Sequence, residues 1–279
     1  MLYDSPTLIG LDYIGSTYFM NAALQCLSQT KDLTNYFLNK KNKEFIMENK
    51  TDDINENKLC PAYLNLIEKL WDHTGIKPFK PKEFIGIIEK IYPKFRSGQI
   101  KDSKDLIVFI LNQIHKELKR PLPNKNKIIS QMLNRYDRVN AFNNFYSEFQ
   151  KESSIISKTF FGFIETSNVC QICNHLYNAQ DQKISKFYNY EIFNCLTFPL
   201  EEIKKMKNKN NNIQNNYISL YDCFMYNKTT PIVTGNNSNY CSKCKKMYDS
   251  LVTSQIFSSP KILILVLDRR NFNNCDDIK

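Results

Sequence analysis

Apolar residues recur at helical spacing through the first half of the chain. Pro61 suits the first turn of a helix, and apolar side chains follow it at positions i, i+3, i+4 and i+7: Tyr63, Leu66, Ile67 and Leu70. A second helix is predicted after Pro81. Ser103 can cap a third helix, whose apolar stripe consists of Ile107, Ile110, Leu111, Ile114 and Leu118. The pattern therefore predicts a helical first half.

The pattern changes near Ser154 to short runs of β-branched and aromatic residues. Turn-forming residues separate the runs IISKTFFGFIE, DSLVTSQIF and KILILVL. This change predicts an α+β fold, with a helical region over residues 1–152 and a β-rich region over residues 153–279. Residues 204–216 (KKMKNKNNNIQNN) contain too few apolar groups to offset the entropy lost on ordering, so a disordered insertion is predicted there.

The chain is basic, with a formal net charge of +10 over 279 residues. No five basic residues stand together, so nucleic-acid binding is not the favoured interpretation. With 42% hydrophobic residues the chain can bury a sizeable core. Its longest aliphatic run, Ile262 to Leu267, is far shorter than the roughly 18 residues of a membrane helix. We therefore expect no membrane segment.

The first ten residues, MLYDSPTLIG, lack the basic start and apolar stretch of a secretory signal. A cytoplasmic or nuclear location is therefore expected. In such a reducing compartment the nine cysteines are expected to be thiols or metal ligands.

Two Cys-x-x-Cys pairs stand out among these cysteines: Cys170 with Cys173, and Cys241 with Cys244. Random placement of the cysteines would give about 0.26 such pairs, so two pairs are unexpected by chance. The spacing is typical of a structural zinc site with four thiolate ligands and predicts one zinc ion per chain. A redox-active pair is the alternative, but it needs a strand and helix arrangement that neither pair shows.

Residues 10–27, GLDYIGSTYFMNAALQCL, resemble the nucleophile box of the ubiquitin-specific protease family of papain-like cysteine proteases. The matching positions are Gly10, Leu11, Gly15, Thr17, Met20, Asn21, Leu24 and Gln25. Three later segments resemble further family boxes in the same order: residues 101–118, residues 154–162 before the first cysteine pair, and the run from Pro260 to Arg269. Four ordered boxes make the resemblance specific over roughly residues 8–272.

The resemblance implies a papain-like hand made of a thumb, fingers and a palm. The helical first half would be the thumb, the zinc-binding pairs would tip the fingers, and ILILVL would be the first palm strand. The strands that follow in the family are missing after it. This implies an incomplete palm sheet with an exposed apolar edge, and a companion polypeptide that completes it.

The residues that would carry the family's chemistry are replaced. By the resemblance, hydrolysis of the bond after the terminal glycine of ubiquitin needs a Cys thiolate that a His activates. Tyr18 stands at the position of that Cys, and Tyr13 replaces the Asn that would donate to the oxyanion. Ser16 replaces a second Asn. A phenol, with a reference pKa of about 10 and a bulky ring, is poorly suited to attack a carbonyl, so no catalytic residue is predicted.

No histidine matches the base of the family. The chain has only His73, His115 and His175, and none stands in the late Gly-His-Tyr-like context where the family keeps its base. Cys26 cannot replace the nucleophile either, because it follows Tyr18 by eight residues on the same predicted helix, or about 12 Å.

Two acidic residues near the start of the third predicted helix are candidate binding residues. Asp102 and Asp105 are three residues apart and therefore lie on one helix face. The resemblance implies that this acidic box contacts the basic carboxyl-terminal tail of ubiquitin. The alternative is a solvated helix start that the helix dipole stabilises.

Three functions remain as hypotheses. The leading one is a non-catalytic domain of the ubiquitin-specific protease type that binds ubiquitin or a ubiquitinated protein. The second is a fragment of an active cysteine deubiquitinase that missing carboxyl-terminal sequence completes. The third is a zinc-ribbon module that binds nucleic acid or acts as a scaffold, which predicts salt-sensitive binding.

Overall fold

A computed structural model describes most of the chain: residues 9–15, 17–48, 58–72, 77–95, 102–122, 137–170, 186–210, 217–228, 232–233, 239–241, 245–248 and 250–269. The chain divides into two units. The first unit contains residues 1–120 and 153–159, and the second contains residues 121–152 and 160–279. Helices fill the described part of the first unit and strands dominate the second, which confirms the α+β class.

The helices of the first unit are α1 (Tyr18–Ser28), α2 (Lys31–Leu38), α3 (Lys40–Glu48), α4 (Leu59–Leu70), α5 (Lys82–Ile91) and α6 (Ser103–Leu118). The helices predicted after Pro61, after Pro81 and from Ser103 are confirmed by α4, α5 and α6. The predicted cap of α6 is wrong, because Asp102 caps the helix and Ser103 is its first helical residue. The stripe on α4 is buried: Tyr63 and Ile67 have no exposed surface, and Leu70 is 1% exposed.

The start of α4 is capped by a neighbouring helix rather than by its own sequence. The backbone N–H groups of Leu59 and Cys60 each donate to one carboxylate oxygen of Glu117, on α6, at 2.8 Å. A carboxylate at a helix amino terminus satisfies free N–H groups and complements the helix dipole. Glu117 therefore ties α4 to α6.

The second unit contains a helix, α7 (Arg138–Gln150), and an antiparallel sheet in the order β2-β1-β7-β4. The strands are β1 (Gly162–Cys170), β2 (Lys186–Phe193), β4 (Ile232–Val233) and β7 (Ser250–Ser258). Phe142 of α7 contacts the rings of Phe163 and Tyr190, which lie on β1 and β2. Gly162 is required where these strands meet, because a Cβ there would lie 2.5 Å from the Phe193 ring.

A second, parallel pair of strands is covered by two helices. β3 (Leu196–Pro199) pairs with β8 (Leu265–Asp268), with Leu196 opposite Leu265. The helices α9 (Leu200–Asn210) and α10 (Leu220–Asn227) supply Ile203 and Cys223 to the core cluster that contains Phe198. A short hairpin, β5 (Asn239–Cys241) with β6 (Lys246–Tyr248), completes the described strands.

One predicted β run begins as a helix. The residues IISKTF form α8 (Ile155–Phe160), and β1 starts only at Gly162. The Oγ of Ser154 accepts hydrogen bonds from the N–H groups of Ile156 and Ser157, at 3.1 and 3.2 Å. This cap favours a helical turn over an extended chain, so the prediction is wrong for these six residues.

The predicted disordered insertion is partly helical. Residues 204–210 continue α9, whereas residues 211–216 lie outside the described residues. Buried Ile203 anchors the helix, and Lys205 pairs with Glu201 at 2.6 Å in the i, i+4 arrangement that stabilises helices. These contacts offset the conformational entropy lost on ordering the segment, which its polar composition alone would not offset.

The boundary between the units also differs from the predicted one at residue 152. Residues 121–152 belong with the second unit and residues 153–159 with the first. The cause is the aromatic face of α7, which packs on β2.

Candidate functional site

The loop before α1 turns sharply at Gly15. This residue has φ +62°, in the left-handed region that favours glycine. The N–H of Ile14 donates to the Oγ1 of Thr17 at 3.1 Å, which closes the turn onto the start of the helix. Gly15 and Thr17, two residues of the sequence box, therefore shape the turn that leads into α1.

Two amides on α1 hold this loop. The Nδ2 of Asn21 donates to the carbonyls of Leu11 and Asp12, at 3.2 and 3.3 Å. One turn further along the same helix face, the Nε2 of Gln25 donates to the carbonyl of Ile9 at 3.1 Å. These box residues therefore act on the backbone of the loop and fix its course.

The loop is also fixed on its other side by the segment before α5. The N–H of Asp12 donates to the carbonyl of Phe79 at 2.9 Å, and the N–H of Phe79 donates to the carbonyl of Gly10 at 3.2 Å. These bonds form a parallel bridge between Leu11 and Phe79. Backbone and side-chain bonds together leave the loop little freedom.

Tyr13 and Tyr18 point away from this framework into solvent. Tyr13 is 69% exposed, and Tyr18, the first residue of α1, is 59% exposed. The Tyr18 ring lies edge-on to the ring of Phe19, with the centroids 6.0 Å apart. The two phenols are therefore available for contact with a ligand.

The start of α6 is attached to the first turn of α1. The Oγ of Ser103 donates to the carbonyl of Phe19 at 3.1 Å. Asp102, the residue before it, caps α6 by accepting the N–H of Lys104 at 2.8 Å. Asp102 and Asp105 are both exposed, and Lys104 Nζ lies 3.4 Å from Asp105. The structure thus brings the acidic candidate residues beside the start of α1.

His115 lies at the other end of α6. It follows Ser103 by twelve residues, or about 18 Å along the helix. Its Nδ1 is 2.7 Å from Ser154 Oγ. Because Ser154 Oγ already accepts two N–H groups, its own proton is the one directed to Nδ1. This geometry gives His115 a structural role and separates it from Tyr18.

Among the described residues, Cys26 does not approach Tyr18. Cys26 is a free, exposed thiol two turns along α1 from Tyr18. His73 and His175 lie outside the described residues.

Half of the predicted zinc ligands are described. Cys170 ends β1 and Cys241 ends β5, and both are buried, 2% and 3% exposed. Cys173 and Cys244 lie outside the described residues. Within the residues that the structure describes, no group of three potential metal ligands occurs. Two buried cysteine side chains have the right chemistry for zinc but supply only half of a four-ligand set. No helix in the described segments has the length and hydropathy needed to cross a bilayer.

A charged network in the second unit was not predicted from the sequence. The carboxylate of Glu165, 3% exposed, accepts hydrogen bonds from Arg138 Nε at 2.7 Å, Tyr190 Oη at 2.6 Å and Gln255 Nε2 at 2.9 Å. Burial raises the pKa of Glu165, but the hydrogen bonds from these three partners outweigh it, so the pKa lies below its usual value. The only signal in the sequence is one acidic residue within a β-prone run.

Comparisons with known proteins give one family model and several curated relatives. The family model described as ubiquitin carboxyl-terminal hydrolase matches residues 9–279. Ubiquitin carboxyl-terminal hydrolase 15 of Xenopus tropicalis is 32% identical over 199 residues, which is 71% of this chain and 19% of the relative. Ubiquitin carboxyl-terminal hydrolase 4 of Bos taurus is 29% identical over 212 residues, 74% of this chain and 20% of the relative. The chain thus spans about a fifth of the length of these curated relatives.

Solved structures show a similar fold. The yeast SAGA DUB module with an Sgf73 mutant matches with a TM-score of 0.58 and 20% identity, covering 96% of this chain and 50% of that chain. The SAGA module of Ubp8, Sgf11, Sus1 and Sgf73 bound to ubiquitin aldehyde matches with a TM-score of 0.58 and 19% identity, with the same coverage.

Proposed function

Because the chain belongs to the ubiquitin carboxyl-terminal hydrolase family, we propose that it binds ubiquitin without hydrolysing ubiquitin conjugates. The observation that carries this proposal is Tyr18, which occupies the nucleophile position at the start of α1 with its side chain 59% exposed.

The loop before Tyr18 is still held in place. This supports the loss of the catalytic groups and the retention of a binding site. Asn21 and Gln25 still hold the loop by its carbonyls, whereas the replaced residues Tyr13 and Tyr18 project from it. Tyr18 has no thiolate, and Tyr13 stands where the oxyanion donor would be. Hydrolysis by this route needs a nucleophile and a base within hydrogen-bond reach. His115 lies about 18 Å along α6 from Ser103, the residue that contacts the first turn of α1.

The exposed side chains near the start of α1 are suited to binding a basic peptide. Asp102 and Asp105 are exposed carboxylates at the end of α6 that Ser103 attaches to α1. The exposed rings of Tyr13 and Tyr18 can accept a cation on their faces. Carboxylates and phenol rings together support binding of the basic tail of ubiquitin, and a solved relative of this fold is bound to ubiquitin aldehyde.

Hydrolysis is tested with a fluorogenic ubiquitin substrate and a thiol-reactive ubiquitin probe. We expect no turnover by the wild-type chain, and background activity from Tyr18→Cys and from Tyr13→Asn/Tyr18→Cys, because catalytic groups act as a unit. Wild-type turnover that survives Cys26→Ala would refute the proposal, and turnover that Cys26→Ala abolishes would identify Cys26 as the nucleophile.

Binding is tested by titrating the chain with ubiquitin. Asp102→Asn/Asp105→Asn is expected to weaken the affinity about tenfold, equivalent to about 1.4 kcal/mol. Asp137→Asn is the matched control, since Asp137 is also an exposed helix cap and Asn preserves capping. Absence of ubiquitin binding, or equal losses in the two variants, would contradict the proposed site.

We further propose one structural zinc ion held by Cys170, Cys173, Cys241 and Cys244. The burial of Cys170 and Cys241 supports it. Elemental analysis of protein purified without chelators should find about one zinc per chain, reduced by Cys241→Ser but not by Cys223→Ser, which alters a buried thiol outside the set. Protein that folds without zinc would contradict this.

A companion polypeptide beside β8 is also proposed. Within the described residues β8 pairs only with β3, and Ile262 and Leu263 just before it are 40% and 38% exposed. An open apolar strand edge favours pairing with another chain. Size-exclusion chromatography of the isolated chain should show self-association, and a monodisperse monomer would argue against a missing strand.

A further inference from the structure

Arg138, the first residue of α7, is held by a buried carboxylate. Its Nε donates to Glu165 at 2.7 Å. Its guanidinium lies over the ring of Phe257, with Cζ 5.5 Å from the ring centroid. A planar guanidinium fixed at one nitrogen and placed over a ring retains few orientations.

Much of the Arg138 guanidinium remains available at the surface. The side chain is 50% exposed, and besides Glu165 its guanidinium interacts with Tyr190, whose hydroxyl donates to Glu165. Glu165 divides its charge among three donors, which include the Tyr190 hydroxyl and the Gln255 amide. The guanidinium therefore presents N–H donors, with part of its positive charge, at the surface.

Apolar surface lies next to this arginine. Val139, the following residue of α7, is 68% exposed, and Phe257 is 36% exposed. Arginine and aromatic side chains are the types that most often dominate binding energy between proteins. We propose that Arg138, oriented by Glu165 and Phe257, binds a carboxylate side chain on an acidic and apolar segment of a partner protein.

A carboxylate fits this site better than a nucleic acid does. The two terminal nitrogens of a guanidinium match the two oxygens of a carboxylate. A polyanion needs several cations, whereas Arg138 is paired with Glu165 and follows the exposed carboxylate of Asp137. An apolar neighbour of the bound carboxylate would pack on Val139 and Phe257.

Two synthetic peptides test the proposal on the whole 279-residue chain. One repeats Glu-Leu-Glu-Phe three times, and the other has Gln in place of each Glu. By isothermal titration, the wild-type chain should bind the Glu peptide at least tenfold more tightly, or about 1.4 kcal/mol. Arg138→Lys keeps the positive charge but loses the planar guanidinium that can bind two carboxylate oxygens. It should therefore remove most of the preference for the Glu peptide over the Gln peptide.

The matched control is Arg120→Lys. Arg120 also lies over a phenylalanine ring, that of Phe45 at 4.8 Å, but belongs to the first unit. It should leave the peptide preference unchanged. Glu165→Gln tests the positioning role: the Nε–H of Arg138 should exchange faster with solvent, and the Glu peptide should bind more weakly.

The wild-type chain alone can decide the outcome if a variant fails to fold. Its Arg138 Nε–H resonance should shift with the Glu peptide and not with the Gln peptide. Equal binding of the two peptides, unchanged affinity in folded Arg138→Lys, or tighter binding of a single-stranded oligonucleotide through Arg138 would each overturn the proposal. Ubiquitin binding is a separate outcome, because the proposed ubiquitin site does not include Arg138.

Discussion

Two buried polar networks, one in each unit, are built from different groups. At the start of α1, the amides of Asn21 and Gln25 donate to three backbone carbonyls. In the second unit, the carboxylate of Glu165 accepts from a guanidinium on α7, a phenol on β2 and an amide on β7. The first network is neutral and fixes backbone, whereas the second is charged and fixes side chains.

The difference decides what each network tolerates. A lost amide bond leaves a neutral group unsatisfied, but a buried carboxylate that loses its cation leaves a charge unsatisfied. The hydrogen bonds from Asn21 and Gln25 can therefore maintain the loop conformation when the side chains at positions 13 and 18 change. The carboxylate network instead makes four elements, α7, β1, β2 and β7, depend on one another.

The largest effect is expected from Arg138→Met, which leaves the Glu165 carboxylate without its cation. Breaking a fully buried pair costs about 3–5 kcal/mol, and because Arg138 is half exposed we expect the free energy of unfolding to fall by about 2–3 kcal/mol. Urea unfolding at pH 7 measures this. The double variant Arg138→Met/Glu165→Gln should recover part of the loss. If it is no more stable than the single variant, the unpaired charge is not the cause.

Asn21→Ala should have an intermediate effect, a loss of about 1–2 kcal/mol in the free energy of unfolding, because two loop carbonyls lose their donor. The loss is limited because the buried Oδ1 of Asn21 has no partner among the described residues, and its removal relieves a small penalty. Asn65→Ala is the control, since Asn65 makes one exposed side-chain bond to Glu83 and should change stability by less than about 0.5 kcal/mol. Equal losses would remove the distinction between the two asparagines.

Gln25→Ala should cost about 0.5–1 kcal/mol, since it removes a single hydrogen bond to Ile9. Urea unfolding again provides the measurement, and hydrogen exchange of the loop amides should increase locally. A loss larger than that of Asn21→Ala would show that Gln25, rather than Asn21, is the main support of the loop.

The pH dependence is expected to be absent near neutrality and to emerge only in acid. Despite the opposing effect of burial, hydrogen bonds from Arg138, Tyr190 and Gln255 hold the pKa of Glu165 below its usual value. Such a group adds stability above its unfolded pKa of about 4.3, and this stability is lost as the pH falls through the lower folded value.

Urea midpoints measured from pH 7 down to pH 2 check this expectation. They should fall more steeply below about pH 4 in the wild type than in Glu165→Gln. The pKa of Asp222 is also lowered, because hydrogen bonds from Lys207 and Ser219 outweigh the opposing effect of burial, and Asp222→Asn should remove a further share of the slope. Parallel curves for the wild type and Glu165→Gln would contradict the charged network.

The helices α4, α5 and α6 of the first unit can be predicted because their apolar stripes are complete within each segment. α3 cannot, because it buries only Ile46. The extent of α9 cannot, because its stabilising contacts include a bond from Lys207 to Asp222, a residue of α10, at 2.8 Å. Its own sequence shows mainly Lys and Asn. The composition of α9 therefore predicts its exposed polar residues but not the contacts that stabilise it.

The sequence also indicates which loop to consider as the candidate site, but it does not predict the hydrogen-bond partners that hold this loop. The box residues Asn21 and Gln25 mark the loop, yet which carbonyls they reach depends on the course of the backbone. Glu165 gives no comparable signal, because a single acidic residue in a strand normally faces solvent. Its partners Arg138 and Gln255 are far from it in sequence and meet only in the folded sheet.

The parallel pairing of β3 with β8 has a consequence for synthesis. About 65 residues separate the two strands, and a ribosome adds about 5–20 residues per second, so β3 emerges several seconds before β8 exists. α9 and α10 are made in this interval, and their residues Ile203 and Cys223 pack in the same cluster as Phe198 of β3. These helices can cover β3 on the nascent chain, so translation order favours helix packing before strand pairing.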